Sequence, residues 1–176
     1  MALERPIVIG GCPGTGKSSA SRELSNHLDN CVLIETDNFF DYLIDPLDPS
    51  TPAAKVQNEI VISAYAEAAK TYRNGGYNVI LEGVIGPWVF PILKSVIGRF
   101  DYFLMHTTLE SACERVASRS CKDVSLGKVE RMHPQFEAIV PGIAQHMINT
   151  ELASVDVVAE LVLAKIKEGS CEVHAV

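Results

Sequence analysis

The feature that most constrains this chain is a glycine-rich octapeptide close to its start. Residues 11–18 read Gly-Cys-Pro-Gly-Thr-Gly-Lys-Ser, which fits G-x-x-x-x-G-K-[ST], and they directly follow the apolar run Pro6 to Ile9. A strand, a glycine-rich turn and a helix that begins at a lysine together surround a phosphate group with backbone N–H groups. The sequence therefore predicts a phosphate-binding loop, whose nucleotide-binding residues are Gly11, Cys12, Pro13, Gly14, Thr15, Gly16, Lys17, Ser18 and Ser19.

Two other interpretations of this segment were weighed. One is a strand-to-helix turn that binds nothing. The other is a dinucleotide-binding turn, which is disfavoured because no glycine stands at the third required position after Gly14-x-Gly16. In the phosphate-binding interpretation Lys17 neutralises the β- and γ-phosphate oxygens, the Ser18 hydroxyl binds Mg²⁺, and Ser19 reaches the α-phosphate.

Size and charge limit the class of protein. At 176 residues, the chain is expected to form one domain, residues 1–176. The net charge of -7, without a cluster of basic residues, argues against a nucleic-acid partner. The longest apolar stretch, residues 83–93, is too short for a bilayer and contains two prolines, and the N-terminus lacks a signal-peptide pattern. We expect a cytoplasmic protein without membrane contact.

Cysteine and histidine usage indicates neither disulfides nor a zinc site. The five cysteines form an odd set without a C-x-x-C pair, which argues against a disulfide framework and a zinc-bearing lid and favours reduced thiols. No ligand spacing connects the histidines, which we interpret as surface or packing residues: His27, His106, His133, His146 and His174.

Short apolar runs alternate with helical periodicity along the chain. Continuous apolar runs indicate strands that are covered on both faces, as in parallel sheets. The predicted strands are residues 6–9, 31–34, 77–82, 101–106 and 144–150. The predicted helices are residues 17–28, 56–73, 87–97, 109–119, 129–139 and 154–167, with Pro134 expected to break the fifth. This pattern predicts a three-layer α/β/α fold around five parallel strands.

Carboxylates follow two of the predicted strands. Ligands of open α/β sheets bind beyond the carboxyl ends of the strands, so Asp37 should stand beside the phosphate loop. The alternative is that Asp37 caps a helix that starts at Asn38. Glu82 is the last residue of the third predicted strand. In nucleotide-binding proteins, an acid at this position holds the water shell of Mg²⁺ or orients the attacking group. Ser18 and Glu82 are therefore the candidate metal residues.

Two arginines end the helix before a polar loop. Arg115 and Arg119 are four residues apart and share a helix face, where a bound polyphosphate would offset their repulsion. The alternative is a solvated face paired with Glu110 and Glu114. Residues 119–128 are expected to form a lid over the nucleotide, and residues about 38–73 are expected to cover the acceptor.

These motifs resemble a known family. Residues 11–18, Thr36-Asp37, residues 75–80 and the run from Cys113 to Arg119 are similar to those of small P-loop kinases of the nucleoside-monophosphate-kinase superfamily, the chloramphenicol phosphotransferase-like group above all. The resemblance implies the strand order 2-3-1-4-5, ATP with Mg²⁺, Asp37 as general base, and Arg115 or Arg119 as lid arginines that contact phosphate. Signature motifs of adenylate, thymidylate and shikimate kinases and the GTPase Asn-Lys-x-Asp are missing from the sequence.

Three functions remain open at the level of sequence. The first is transfer of the γ-phosphoryl group of ATP to a hydroxyl of a small uncharged or cationic acceptor, because residues 38–72 contain no arginine and only Lys55 and Lys70. The second is a nucleotide kinase, whose phosphorylated acceptor needs arginine forks. The third is a regulatory ATPase that signals by conformation. The expected partners are ATP and a small molecule, with the chain a monomer or a homodimer; the preference for ATP over GTP is open.

Overall fold

A six-stranded sheet forms the centre of the protein within the described residues. The computed structural model describes residues 3–118 and 125–174. The strands are β1 (Ile7–Gly10), β2 (Cys31–Glu35), β3 (Asn78–Glu82), β4 (Phe100–His106), β5 (Met147–Asn149) and β6 (Glu172–Val173). Five of them run parallel in the order β2-β3-β1-β4-β5, which confirms the predicted order 2-3-1-4-5.

The sixth strand is a correction to the predicted five. β6 pairs antiparallel with β4, with Phe100 opposite Val173. β5 has only three residues and pairs with the second half of β4, from Leu104 onward, so it leaves the first half of that edge open. Gly169 takes a left-handed conformation at the end of the preceding helix, and the chain then returns to fill this edge.

Helices cover both faces of the sheet. They are α1 (Lys17–Asn26), α2 (Asn38–Asp41), α3 (Lys55–Asn74), α4 (Phe90–Ile97), α5 (Leu109–Ala117), α6 (Leu126–Ile139) and α7 (Val155–Glu168). None of these helices is long and apolar enough to cross a membrane. The α/β class and the three layers predicted from the sequence are confirmed.

Two apolar clusters hold the layers together. On one face Val8, Leu81 and Leu104 pack with residues of α3, α4 and α6. On the other face Ile9 and Phe103 pack with residues of α1 and α7. Successive strand residues point to opposite faces, and both faces are covered, so the strands read as continuous apolar runs rather than alternating ones.

α6 departs from its sequence-based prediction at both the start and the middle. The helix begins at Leu126, where the Ser125 side chain accepts a hydrogen bond from the Lys128 backbone and caps the first turn. Pro134 lies inside the helix and does not break it. Pro134 and Glu130 are both exposed, so the carbonyl that loses its partner faces solvent, while buried Val129 and Phe136 hold the helix on the core.

Two further predictions differ in detail. The predicted strand 144–150 is shorter, because Ala144–His146 form a 3₁₀ turn before β5. Arg119, Cys121 and most of the predicted lid lie outside the described residues. The cysteines within the described ranges carry free thiols, as expected; they are Cys12, Cys31, Cys113 and Cys171.

Candidate active site

The glycine-rich loop connects β1 to α1 through two glycines in a left-handed conformation. Gly14 and Gly16 have φ angles of 87° and 86°, in the left-handed region that favours glycine. A Cβ on Gly14 would also lie 2.4 Å from the carbonyl oxygen of Ala112. Gly16 is the N-cap of α1 and provides no side-chain cap, so the start of this ten-residue helix faces the loop with backbone N–H groups.

Lys17 and Cys12 lie inside the loop. The Lys17 Nζ donates a hydrogen bond to the carbonyl of Cys12 at 3.1 Å, and its side chain is buried. The Cys12 thiol lies 3.8 Å from the carbonyl of Val129 on α6. Burial raises the pKa of Cys12 to about 11, with Lys17 opposing and Cys113 adding to the shift. Cys12 therefore stays a thiol at neutral pH and joins the loop to α6 rather than acting as a nucleophile.

Ser18 and Glu82 meet where α1 faces the end of β3. The Ser18 hydroxyl donates to Oε1 of Glu82 at 3.0 Å. Glu82 is only 6% exposed, and its Oε2 accepts no hydrogen bond from any residue that the structure describes. Burial raises the pKa of Glu82, against the opposing effects of the Lys17 charge and the Ser18 hydrogen bond. A hydroxyl beside a buried carboxylate with a vacant oxygen fits a hydrated Mg²⁺.

Asp37 opens into the same pocket. A cavity of about 90 Å³ is lined by the loop together with Asp37, Glu82, Val84 and Lys128. Oδ1 of Asp37 accepts a hydrogen bond from the backbone of Val84 at 3.2 Å. Asp37 occupies the N-cap position of α2 but makes no side-chain cap hydrogen bond, so the capping alternative is not supported.

Backbone contacts between β2 and β3 set the position of Asp37. The backbone N–H and the hydroxyl of Thr36 both donate to the carbonyl of Glu82, at 2.8 and 3.1 Å. A Cβ on Gly83 would lie 2.0 Å from the Thr36 hydroxyl oxygen and 3.0 Å from Oδ1 of Asp37. Gly83 therefore leaves the space in which the ends of the two strands, and their carboxylates, come together.

A larger cavity lies on the other side of the loop. It has a volume of about 380 Å³ and combines polar with apolar side chains; it is lined by Gly14, Gly16, Ser19, Ala20, Arg115, Ser118, Thr150, Ala153, Val155 and Val158. Its position beside the loop and its mixed lining suit the nucleoside of a bound nucleotide. The contribution from residues 150–158 could not be predicted from sequence patterns, because only the folded sheet brings them to the loop.

Arg115 is held between the loop and the segment after β5. Its guanidinium donates to the hydroxyl and carbonyl of Thr150, at 3.1 and 2.8 Å, and to the carbonyl of Glu151 at 3.2 Å. The Thr150 hydroxyl in turn lies 2.9 Å from the carbonyl oxygen of Thr15. Arg115 thus lines the larger cavity, as its predicted ligand contact requires, and it also positions the Thr150 segment against the loop. Arg119 lies outside the described residues.

Glu151 fastens the same segment to the start of α5. Its carboxylate accepts hydrogen bonds from the side chains of Ser111, Thr107 and Thr108 and from the backbone of Thr108 at 2.8 Å. These bonds, with Ser111 and then Thr107 contributing most, lower the pKa of Glu151 to about 2. The wall of the larger cavity is therefore fixed at both Arg115 and Glu151.

This arrangement predicts an acid-dependent contribution to stability. The folded-state pKa of Glu151 is lowered from 4.5 to about 2, so its stabilising effect is full above pH 4.5 and is lost as the pH falls towards 2. In Glu151→Gln we expect a lower melting temperature at neutral pH than in the wild type. We also expect its melting temperature to decrease less than that of the wild type as the pH falls from about 5 to 3. Melting curves across this range, with the exposed Glu160→Gln as control, test it; parallel curves for Glu151→Gln and the wild type would contradict it.

Lys128 is the pocket residue that sequence reasoning missed. It stands in the first turn of α6, after the Ser125 cap, and lines the small cavity with Asp37 and Glu82. Its position is at the end of the predicted lid, but a single lysine in a polar stretch gave no signal of its own. Only the packing of α6 against the loop, through Val129 and Cys12, brings it to the site.

The chain shares a family signature and a fold with known proteins. The family described as AAA domain matches residues 7–133, well over half of the chain. No curated protein matches the sequence. Among solved structures, a sugar kinase from Janibacter has a TM-score of 0.73 at 16% identity, covering 95% of this chain and 98% of that one.

Two further structures share the fold. The tunicamycin resistance protein of Deinococcus radiodurans has a TM-score of 0.67 at 18% identity, with 93% of this chain and 96% of that chain covered. A gluconokinase from Sinorhizobium meliloti has a TM-score of 0.67 at 13% identity, with 97% and 95% covered. These likenesses extend over nearly the whole of each chain. The chain therefore belongs to the AAA-domain family and has the fold of small P-loop kinases, as its motifs implied.

Proposed function

We propose that the protein transfers the γ-phosphoryl group of ATP to a hydroxyl of a small acceptor that is uncharged or cationic. The observation that carries this proposal is that the Asp37 carboxylate shares a pocket with Lys17, Ser18 and Glu82 of the phosphate-binding apparatus. Asp37 directly precedes the segment proposed to cover the acceptor, so its carboxylate is placed to take the proton of an acceptor hydroxyl. The arrangement therefore favours a kinase over a regulatory ATPase.

The nucleotide part of the proposal rests on the loop and the larger cavity. The backbone N–H groups of the loop hold the β-phosphate, Lys17 neutralises the β- and γ-phosphate oxygens, and Ser19 lies at the edge of the cavity that takes the nucleoside. Mg²⁺ held near Ser18 and Glu82 would neutralise phosphate charge. Arg115 adds positive charge beside Gly16, and Arg119 is proposed to do so from the lid.

Asp37 is the proposed general base. The acceptor oxygen forms a bond to the γ-phosphorus, the bond from the γ-phosphorus to the β–γ bridging oxygen breaks, and ADP leaves. The proton of the acceptor hydroxyl passes to the Asp37 carboxylate, one oxygen of which is steadied by the Val84 backbone. Lys128, on the other wall of the pocket, stabilises negative charge on the transferred group.

The charges around the pocket support the proposed class of acceptor. A buried phosphate dianion without paired donors is costly, and the segment that covers the pocket offers Asp41, Asp45 and Asp48 instead. Two other arginines of the chain are engaged elsewhere. Arg73 donates to the carbonyl of Glu4, and Arg99 pairs with Glu172 at 3.0 Å.

A nucleotide kinase is the second candidate, and one observation favours it. Hydrogen bonds from Ser50 lower the pKa of Asp48, and the positive charges of Arg131 and Lys128 add to this effect, so both cations lie near the acceptor-covering segment. These two α6 side chains are the donors that a phosphorylated acceptor would use. The acceptor assay below separates the two candidates.

We expect uncharged and cationic hydroxyl compounds to stimulate ADP release much more than nucleoside monophosphates do. The experiment measures steady-state ADP release with ATP and millimolar amounts of sugars, nucleosides, amino alcohols or nucleoside monophosphates. Sugars come first, since the chain shares its fold with a sugar kinase. Lys17→Ala is the background control. Saturable phosphorylation of a nucleoside monophosphate would contradict the proposed acceptor class and identify a nucleotide kinase. ADP release that no acceptor stimulates would favour a regulatory ATPase.

A further inference from the structure

We propose that His106, His133 and Glu137 form a binding site for one divalent transition-metal ion, separate from the pocket at the phosphate loop. A ring nitrogen of each histidine and a carboxylate oxygen of Glu137 all lie within 4.8 Å of one another. Nε2 of His106 is 2.6 Å from Oε1 of Glu137, and Nε2 of His133 is 3.8 Å from the same oxygen. The structure thus brings together two histidines whose spacing in the sequence indicated only surface or packing residues.

The fold explains why the sequence did not reveal the cluster. His133 and Glu137 are one helical turn apart on α6 and share a face. His106 is the last residue of β4, so it reaches the cluster only because α6 packs against the end of that strand. α6 is anchored by Val129 and Phe136 in the core. The candidate ligands thus stand on two fixed elements rather than on loops, which favours a preformed site.

The candidate ligand atoms can surround one ion once the side chains rearrange: all lie within 4.8 Å of one another, and Nε2 of His133 must leave the Thr107 carbonyl. With zinc–ligand bonds of 2.0–2.2 Å in a tetrahedron, neighbouring ligand atoms lie about 3.4 Å apart. The two measured separations, 2.6 and 3.8 Å, fall on either side of that value. His133 is buried, His106 is partly buried and Glu137 is exposed. An ion can therefore reach the cluster from the Glu137 side and keep water at a remaining position.

The donor set selects the class of ion. Two imidazoles and one carboxylate suit Zn²⁺, and also Cu²⁺ and Ni²⁺, whereas Mg²⁺ prefers oxygen ligands throughout. The Ser18–Glu82 pair offers oxygen alone, so the two sites should take different ions. This difference distinguishes the cluster chemically from the magnesium-binding position proposed for ATP.

The ring protons must rearrange when a metal binds. At present Nε2 of His133 donates to the carbonyl of Thr107 at 2.8 Å, and Nε2 of His106 contacts Glu137. Coordination through these nitrogens moves the ring protons to Nδ1 and breaks the hydrogen bond from His133 to Thr107. Because a metal competes with protons for imidazole, its affinity should decrease in acid.

A metal at this position would join α6 to β4. The first turn of α6 carries Lys128 into the small pocket, and Val129 contacts Cys12 of the phosphate loop. Occupancy of the cluster would therefore hold the helix that completes the proposed catalytic pocket. The metal site itself does not depend on the proposed kinase activity and is tested without it.

The test uses metal-free full-length protein with Zn²⁺ in calorimetry and Co²⁺ as a spectroscopic probe. We expect one ion per chain, with a rise in melting temperature on zinc addition and Co²⁺ d–d bands without thiolate-to-cobalt charge transfer. His106→Asn and Glu137→Gln should each weaken zinc binding by at least about 10-fold and remove the rise in melting temperature. Glu137 is exposed, so its substitution preserves the core.

A matched control is present on α1. His27 and Glu23 also form an i,i+4 pair, 3.3 Å apart, and no second histidine joins them within the described ranges. His27→Asn should leave zinc affinity unchanged. The proposal is overturned by a lack of zinc binding to the wild type, by equal affinity in the wild type and Glu137→Gln, or by a thiolate signature that places the ion on cysteines.

Discussion

Lys17→Ala is expected to reduce acceptor-stimulated ADP release by at least about 10²–10³-fold, the loss typical for one preorganised group that stabilises transition-state charge. Lys17 is buried inside the loop, beside Glu82 and Ser18. Alanine leaves the backbone cradle intact but removes the positive charge from the position proposed for the β- and γ-phosphates. ADP release and melting curves are measured on the same preparations.

The control for this substitution is Lys70→Ala. Lys70 is an exposed residue of α3 whose ammonium group pairs with its helix neighbour Glu67, so its removal should change neither turnover nor fold. A folded Lys17→Ala protein with near-normal turnover would contradict the phosphate-loop interpretation. If the Lys17→Ala protein does not fold, Ser18→Ala tests the same interpretation, because it removes a hydroxyl from the pocket but no buried charge.

The existence of the strands was predictable from local signals in the sequence, whereas their order was implied by the resemblance to small P-loop kinases. Continuous apolar runs such as those within Cys31–Glu35 and Asn78–Glu82 read as strands covered on both faces. The acids at their ends, Asp37 and Glu82, then meet beside the loop because parallel strands end at one edge. The position of these two acids could therefore be predicted without knowing how the helices pack.

The rest of the site depends on contacts between distant segments, which periodicity does not reveal. Lys128 enters the pocket because α6 packs on the loop, and α6 is continuous although Pro134 predicted a break. Thr150 joins Arg115 to the loop only because β5 is the edge strand beside β4. A two-residue strand such as β6 has too little pattern to recognise, and it forms because β4 leaves an edge open.

For Arg115, the position of the side chain could be predicted from the sequence, but its hydrogen-bond partners could not. From the sequence, Arg115 was expected near the end of its helix, either beside a bound polyphosphate or on a solvated face, and the structure places it on the wall of the larger cavity. Its hydrogen bonds to Thr150 and Glu151 could not be predicted, because those residues come from beyond the next helix. A substitution of Arg115 would therefore alter the cavity wall as well as the charge near the loop, which makes it a poor test of catalysis.

Asp37 provides the sharper test of the proposed transfer reaction. Asparagine has nearly the same shape as aspartate and its side-chain oxygen can still accept from the Val84 backbone, but it cannot take a proton. Loss of a general base typically costs 10²–10⁴-fold, so Asp37→Asn should lower kcat for acceptor phosphorylation by about that factor. ATP affinity should change little, because Asp37 lies outside the glycine-rich loop and does not line the larger cavity.

Asp156→Asn is the control, since Asp156 is an exposed residue of α7 that lines neither cavity. Its turnover should stay close to that of the wild type. Single-turnover transfer and nucleotide titration separate the two effects expected for Asp37→Asn. If transfer stays within about threefold of the wild type, well short of the range for a general base, Asp37 only orders the turn after β2 and the acceptor proton leaves by another route. If ATP affinity and transfer fall together, Asp37 acts through the nucleotide and its metal rather than on the acceptor.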